Sequence, residues 1–227
     1  MPQDPRRAAL HAGLQALSLA ATDTLLDRLL AYLDLLQKWN QAYNLSAVRN
    51  PQQMVHQHLL DCLAALPPAE RVLQQRDDAQ VMDVGSGAGL PGVVWALMRP
   101  GWQLRCVDAV GKKVSFIRQV AAELGLRNLV AAHARVEVMQ PVMADIVVSR
   151  AFASLAEFCA LTRPHLKPGA CWMAMKGKAP VEEIAALPVD VEMFHVEPLR
   201  VPGLDAQRCL VWMRLRQSAA GAAVNLG

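Results

Sequence analysis

Val81-Met82-Asp83-Val84-Gly85-Ser86-Gly87-Ala88-Gly89-Leu90-Pro91-Gly92 carries an apolar segment into an aspartate, alternates three glycines, and then sets a proline where a helix can open. Glycine reaches positive φ without steric cost and lets another molecule lie against the backbone. A helix start adds unpaired N–H groups and the positive end of the helix dipole. The stretch therefore predicts a strand, a turn shaped for close approach, and a helix. Three alternate glycines weaken a turn that nothing approaches.

Downstream, short apolar runs at 80–84, 103–107, 128–132, 144–149 and 170–175 alternate with helical patterns at about 91–98, 112–124 and 154–163. Gly125 stands where a helix C-cap belongs, and Ser154 with Glu157 has capping-box spacing. Alternating β and α predicts a parallel sheet with helices on both faces. After Lys178 the pattern becomes two strands, Val189 to Glu197 and Arg208 to Arg216, around the loop Val201-Pro202-Gly203-Leu204-Asp205-Ala206-Gln207. A βα series closed by an antiparallel hairpin is the order of a Rossmann-like class I methyltransferase sheet. A dehydrogenase usually adds further βα units.

Upstream, Thr22 can cap a helix whose apolar stripe is Leu25, Leu26, Leu29, Leu30, Leu33, Leu36 and Trp39. Asn40 to Asn50 breaks it. Pro51 suits the first turn of a second helix, which Pro67-Pro68 is expected to end. The expected division is an N-terminal helical extension over 1–78, a cofactor-binding domain over 79–217, and an Ala/Gly-rich tail over 218–227.

Gly87-Ala88-Gly89-Leu90-Pro91-Gly92 also fits the dinucleotide pattern GxGxxG. The longer form, D-x-G-x-G-x-G, fits S-adenosyl-L-methionine better. A carboxylate at the strand end suits a ligand carrying an ammonium and a sulfonium, whereas it would repel a pyrophosphate. Asp108 ends the next strand, 25 residues after Asp83. It can accept from ribose hydroxyls, or it can cap the following helix. The third strand leads into Arg135-Val136-Glu137, where Val136 could flank an adenine ring and Glu137 could accept from a ligand amine.

Ligands of open parallel sheets bind at the carboxyl ends of the strands. That edge is expected to carry Lys112 and Lys113, Arg150, and Lys176 with Lys178. A cationic rim suits a phosphate-rich partner. The alternative is a solvated face. It is less fitting for Arg150, which sits in the apolar run Ile146-Val147-Val148-Ser149-Arg150-Ala151-Phe152. His58 and Asp61, at i and i+3, read as a hydrogen-bonded or helix-surface pair. No set of metal ligands emerges.

The 227 residues are 53% apolar and 19% charged, with 23 basic and 20 acidic side chains giving +3. That excludes a disordered chain and a strongly acidic surface, without itself establishing a nucleic-acid binder. No apolar run suits a membrane helix, and the start lacks the pattern of a secretory signal, so the cytoplasm is expected. The five cysteines lack metal or disulfide spacing and read as reduced, mostly buried thiols. No Asn-Pro-Pro-Tyr-like tetrapeptide and no Pro-Cys loop appears, which weighs against amino-group and C5-pyrimidine methylation. A ring nitrogen with an in-plane lone pair needs neither.

With these residues assembled, the chain resembles the RsmG family of bacterial 16S rRNA guanine-N7 methyltransferases, also called the glucose-inhibited division protein B family. The motifs are Lys38-Trp39-Asn40-x-x-Tyr43-Asn44-Leu45, His58-x-x-Asp61, the loop Asp83 to Gly92, and Ser149-Arg150-Ala151-Phe152-Ala153. The likeness runs from about Leu25 to Arg214. It departs at Cys62, where the family often has serine. The resemblance implies S-adenosyl-L-methionine as donor, a 16S rRNA guanine (position 527) or the small ribosomal subunit as acceptor, and cofactor contacts from Gly85, Leu90, Val136, Glu137 and Arg150. Asp83, Gly87, Gly89 and Asp108 complete the expected cofactor set. Lys112, Lys113 and Lys176 are the expected RNA contacts.

The expected mechanism is direct attack of guanine N7 on the methyl carbon, with no essential proton-abstracting residue and Arg150 orienting either the cofactor or the base. A monomer without membrane attachment is favoured. The readings set against it are an NAD(P)-linked oxidoreductase, a methyltransferase of small molecules or proteins, and a non-catalytic rRNA-binding assembly module.

Overall fold

The computed structural model describes residues 4–150, 152 and 154–216. The tail expected over 218–227 lies outside the described residues. So do Ala151 and Ala153.

A run of helices precedes the sheet. In α1 (Pro5–Ala16), Asp4 accepts the Arg6 N–H and Pro5 opens the first turn. α2 (Asp23–Tyr43) starts at Thr22, whose hydroxyl accepts the Leu25 N–H. It buries Leu26, Leu29, Leu30, Leu33, Leu36 and Tyr32, each worth on the order of 2 kcal/mol. The helix runs past Asn40 to Tyr43 and ends at Asn44 in the left-handed region. α3 (Pro51–Met54), capped by Asn50, continues through a π-helical turn (Val55–Leu60) into α4 (Asp61–Ala64). The second helix does end before Pro67-Pro68, at Ala64, but a further helix opens at once. The two prolines fall in the first turn of α5 (Leu66–Val72), where a missing N–H costs nothing.

The sheet follows: β1 (Gln80–Val84), α6 (Gly92–Met98), β2 (Gln103–Asp108), α7 (Gly111–Glu123), β3 (Leu129–His133), β4 (Ala144–Ser149), α8 (Leu155–Thr162), β5 (Leu166–Lys176), α9 (Val181–Ala185), β6 (Val191–Pro198) and β7 (Cys209–Leu215). Strand order is β3-β2-β1-β4-β5-β7-β6. The first five strands are parallel, and β7 runs antiparallel between β5 and β6. Gly125 has φ +60 just after α7, and Ser154 caps α8 by accepting the Glu157 N–H.

The chain winds outward from β1 to β3 in one direction and from β4 to β5 in the other. The switch point therefore lies between the tips of β1 and β4, where open sheets bind ligands. Ser149 ties those tips together, donating its hydroxyl to the Val84 carbonyl at 2.8 Å.

One face of the sheet shares a continuous apolar cluster with the N-terminal helices, from Leu10 and Leu29 through Leu63 to Val93, Trp95 and Phe116. Trp95 donates to the Cys62 carbonyl across that junction at 2.9 Å. The other face packs Trp172, Phe158, Val147 and Met213. All five cysteines are free and buried. No helix among the described residues is long and apolar enough to cross a membrane.

Candidate functional site

Gly85, Gly87 and Gly89 all have positive φ, at +66, +58 and +83. The Gly85 and Ser86 N–H groups both donate to the Val107 carbonyl, folding the loop over the tip of β2. Two of the glycines meet different surroundings. A Cβ on Gly89 would lie 2.5 Å from Val93 Cγ2, so this residue is small to let the loop pack on α6 and α7. A Cβ on Gly87 would meet nothing nearer than the Gly85 carbonyl oxygen at 4.0 Å. That backbone is open to a ligand.

Asp83 lies beneath the loop, fully buried. Its Oδ2 accepts the Gly92 N–H at 2.9 Å, and its Oδ1 has no hydrogen-bond partner among the described residues. Burial pushes its carboxyl up to about 7. Asp108 joins the loop from the neighbouring strand. Its Oδ2 accepts the Gly87 N–H and its Oδ1 accepts the Val110 N–H, both at 2.9 Å. Val110, not Asp108, occupies the N-cap of α7, so the capping alternative for Asp108 does not describe its place.

Leu90 and Val136 are buried near the strand tips, and the Val136 carbonyl is held by the His165 ring at 3.0 Å. Glu137 is exposed, 3.7 Å from Arg135. Lys112 is exposed on the first turn of α7, whereas Lys113 lies 3.5 Å from Asp108. Lys176 is engaged with Glu183 at 2.8 Å and the Phe152 carbonyl at 3.3 Å. Among the described residues no group of three His, Cys, Asp or Glu is placed to hold a metal ion.

Beside the loop, the N-terminal helices and the sheet edge enclose a groove of about 440 Å³. Ser46, His58, Asp61, Arg150, Lys176 and Arg208 line it. Asp61 Oδ2 accepts from Arg150 at 3.0 Å and Asp61 Oδ1 accepts from Arg208 Nε at 2.9 Å. Asp61 thus joins the tip of β4 to the loop that precedes β7.

The expected hydrogen bond between His58 and Asp61 does not form. Both side chains line the groove, but a π turn at Val55–Leu60 changes the helical spacing between them. His58 Nε2 instead bonds the Ser46 hydroxyl at 2.7 Å. Burial, reinforced by the positive Arg150, lowers the His58 ring to about 4, so it is neutral near pH 7.

Sequence reasoning passed over Arg208, Tyr32 and Ser46. Tyr32 lies in the apolar stripe of α2 and reads as core. Arg208 lies 147 residues from Asp61, and no local pattern joins them.

Residues 25–211 match the family described as rRNA small subunit methyltransferase G. The chain is 57% identical over 216 residues to the ribosomal RNA small subunit methyltransferase G of Leptothrix cholodnii, covering 95% of this chain and 99% of that protein. It is 50% identical over 218 residues to the protein of the same name from Bordetella avium, covering 96% and 97%. Among solved structures it is similar to a SAM-dependent methyltransferase from Aquifex aeolicus, with TM-score 0.51 and 19% identity, over 65% of this chain and 89% of that one. At that identity the likeness is one of fold.

Proposed function

The chain belongs to the rRNA small subunit methyltransferase G family, and from that membership we propose how its geometry serves the reaction. It is an S-adenosyl-L-methionine-dependent methyltransferase of small-subunit 16S rRNA, with N7 of one guanine, position 527, as the acceptor. The observation that carries the reading is the cradle of Asp83, the Gly85–Gly89 loop and Asp108 at the β1/β4 switch point.

The residues present fit the cofactor. The open backbone at Gly87 admits a ligand, and the unpartnered buried Oδ1 of Asp83 can accept from an ammonium. Asp108 keeps further lone pairs for ribose hydroxyls, since each carboxylate oxygen accepts more than one bond. Leu90, Val136 and Glu137 would hold the adenine, and Arg150 would orient either the cofactor or the base.

When bound, the cofactor supplies a sulfonium-activated methyl group. The acceptor N7 has an in-plane lone pair and gives up no proton, so the chain's residues need only bind, orient and exclude water. The buried Asp83 holds the start of α6 through Gly92, and Asp108 fixes Gly87. Lys112, Lys113 and Lys176 support contact with the RNA backbone. The helical layer over 1–78 serves as the RNA-facing extension of the sheet domain. The enzyme acts as a monomer in the cytoplasm.

The test uses methyl-labelled cofactor with naked 16S rRNA and intact small subunits, both from cells lacking this protein. Label at one guanine N7 is expected. Cofactor binding without label on either RNA overturns the rRNA assignment.

A further inference from the structure

The geometry points to the Ser46–His58–Asp61–Arg150–Arg208 groove as the seat of one RNA nucleotide, with Arg208 gripping its phosphate and Asp61 as the positioning residue that holds Arg208 in place. The inference rests on the reading of the chain as an rRNA methyltransferase. It adds a contact from outside the parallel sheet.

The groove is built, and its charge is unbalanced. Arg150, Arg208 and Lys176 line it with Asp61. Lys176 is matched by Glu183. Asp61 spends one oxygen on each arginine, so one carboxylate faces two guanidiniums. His58 is neutral and adds no charge. One positive charge is left over, which suits a phosphate rather than a neutral or cationic group.

Arg208 also has donors to offer. Its Nε is taken by Asp61 and its Nη1 by the Gln207 carbonyl at 2.9 Å. Nη2 has no bond among the described residues, and the side chain is 28% exposed. Held at Nε and Nη1, the planar guanidinium leaves Nη2 to donate in a set direction, as a charge-assisted bond to one phosphate oxygen needs. His58, which lines the groove, has a buried Nδ1 without a hydrogen-bond partner among the described residues. The volume of about 440 Å³ lies within the roughly 300–1,000 Å³ of ligand sites. Arg150 also donates to the buried Cys62 thiol at 3.5 Å, which holds its guanidinium in place.

The test measures equilibrium binding to 16S rRNA over a salt series, together with cofactor affinity by calorimetry, for Arg208→Gln, Arg208→Lys and Asp61→Asn. Thermal melts confirm that each variant folds. Arg208→Gln is expected to bind RNA about tenfold more weakly, to reduce the salt slope by about one, and to leave cofactor affinity unchanged. Arg208→Lys keeps the slope while losing part of the affinity. Asp61→Asn weakens RNA binding several-fold and adds little on top of Arg208→Gln. Unchanged RNA affinity and slope in Arg208→Gln, or equal loss of cofactor and RNA binding, overturns the proposal. Failure of the functional reading shows separately, as wild-type protein that transfers no methyl group to rRNA.

Discussion

The Tyr32 hydroxyl donates to the Ala88 carbonyl at 2.9 Å, so a helix of the N-terminal layer holds the glycine loop from above. Both groups are buried. Removing the donor leaves a carbonyl without its partner, at about 1–3 kcal/mol. Tyr32→Phe is therefore expected to lower the melting temperature modestly and to weaken cofactor binding several-fold. Calorimetric titration with S-adenosylhomocysteine checks this. Unchanged affinity would mean that the loop keeps its shape without the helix.

The glycines of the loop separate packing from access. Gly89→Ala drives a methyl group into Val93 at φ +83, so both stability and cofactor binding are expected to fall. Gly87→Ala meets open space, with only the strain of φ +58. It should cost about 1 kcal/mol of stability yet block the approach of the ligand. Paired melts and titrations distinguish the two. A Gly87→Ala protein with normal cofactor affinity would remove the cradle from the argument.

Asp83 sets a pH dependence. Its carboxyl rises from 3.8 unfolded to about 7 folded, because burial disfavours the charge. The native chain therefore holds a proton that the unfolded chain releases, and this contribution to stability fades as pH rises from 3.8 towards 7. A cationic ligand needs the charged form. Cofactor affinity should therefore climb up to about tenfold per pH unit below 7 and level off above it. Asp83→Asn should bind weakly and without that slope. A flat profile in the wild-type protein would show that Asp83 stays clear of the ammonium.

His58 works in the opposite sense. Its ring is lowered from 6.5 to about 4, so below pH 6.5 the unfolded chain takes up a proton that the native chain refuses. Stability is lost as pH falls from 6.5 to 4, on the order of 2–3 kcal/mol in all. His58→Gln should abolish this loss and expose the contrary slope of Asp83. Urea denaturation at neutral and mildly acidic pH reads both.

Local pattern made the sheet and its loop legible. Asp83 and Asp108 could be placed at strand ends because period and glycine spacing fix where strands stop. The groove was less open to such reading. Pro67-Pro68 marks where one helix stops but hides the start of the next, since proline's two uses, ending one helix and opening another, are alike in sequence. The His58–Asp61 spacing assumes an α-helix, and the π turn breaks that assumption. Arg208 reaches Asp61 only through the path of the final hairpin. A loop's path is set by what it packs on, here His56 against the Pro202 carbonyl at 3.0 Å.

The position of β7 between β5 and β6 imposes an order of assembly. Among the described residues β6 pairs only with β7, so during synthesis it emerges before the strand that will join it to the sheet. Arg208, the residue just before β7, is delivered to Asp61 as that strand inserts. A nascent chain can thus complete its glycine loop early while the groove beside it still lacks one wall. Such an intermediate could acquire the methyl donor well before it could seize an acceptor. The last strand would then serve as a proof that synthesis has gone far enough.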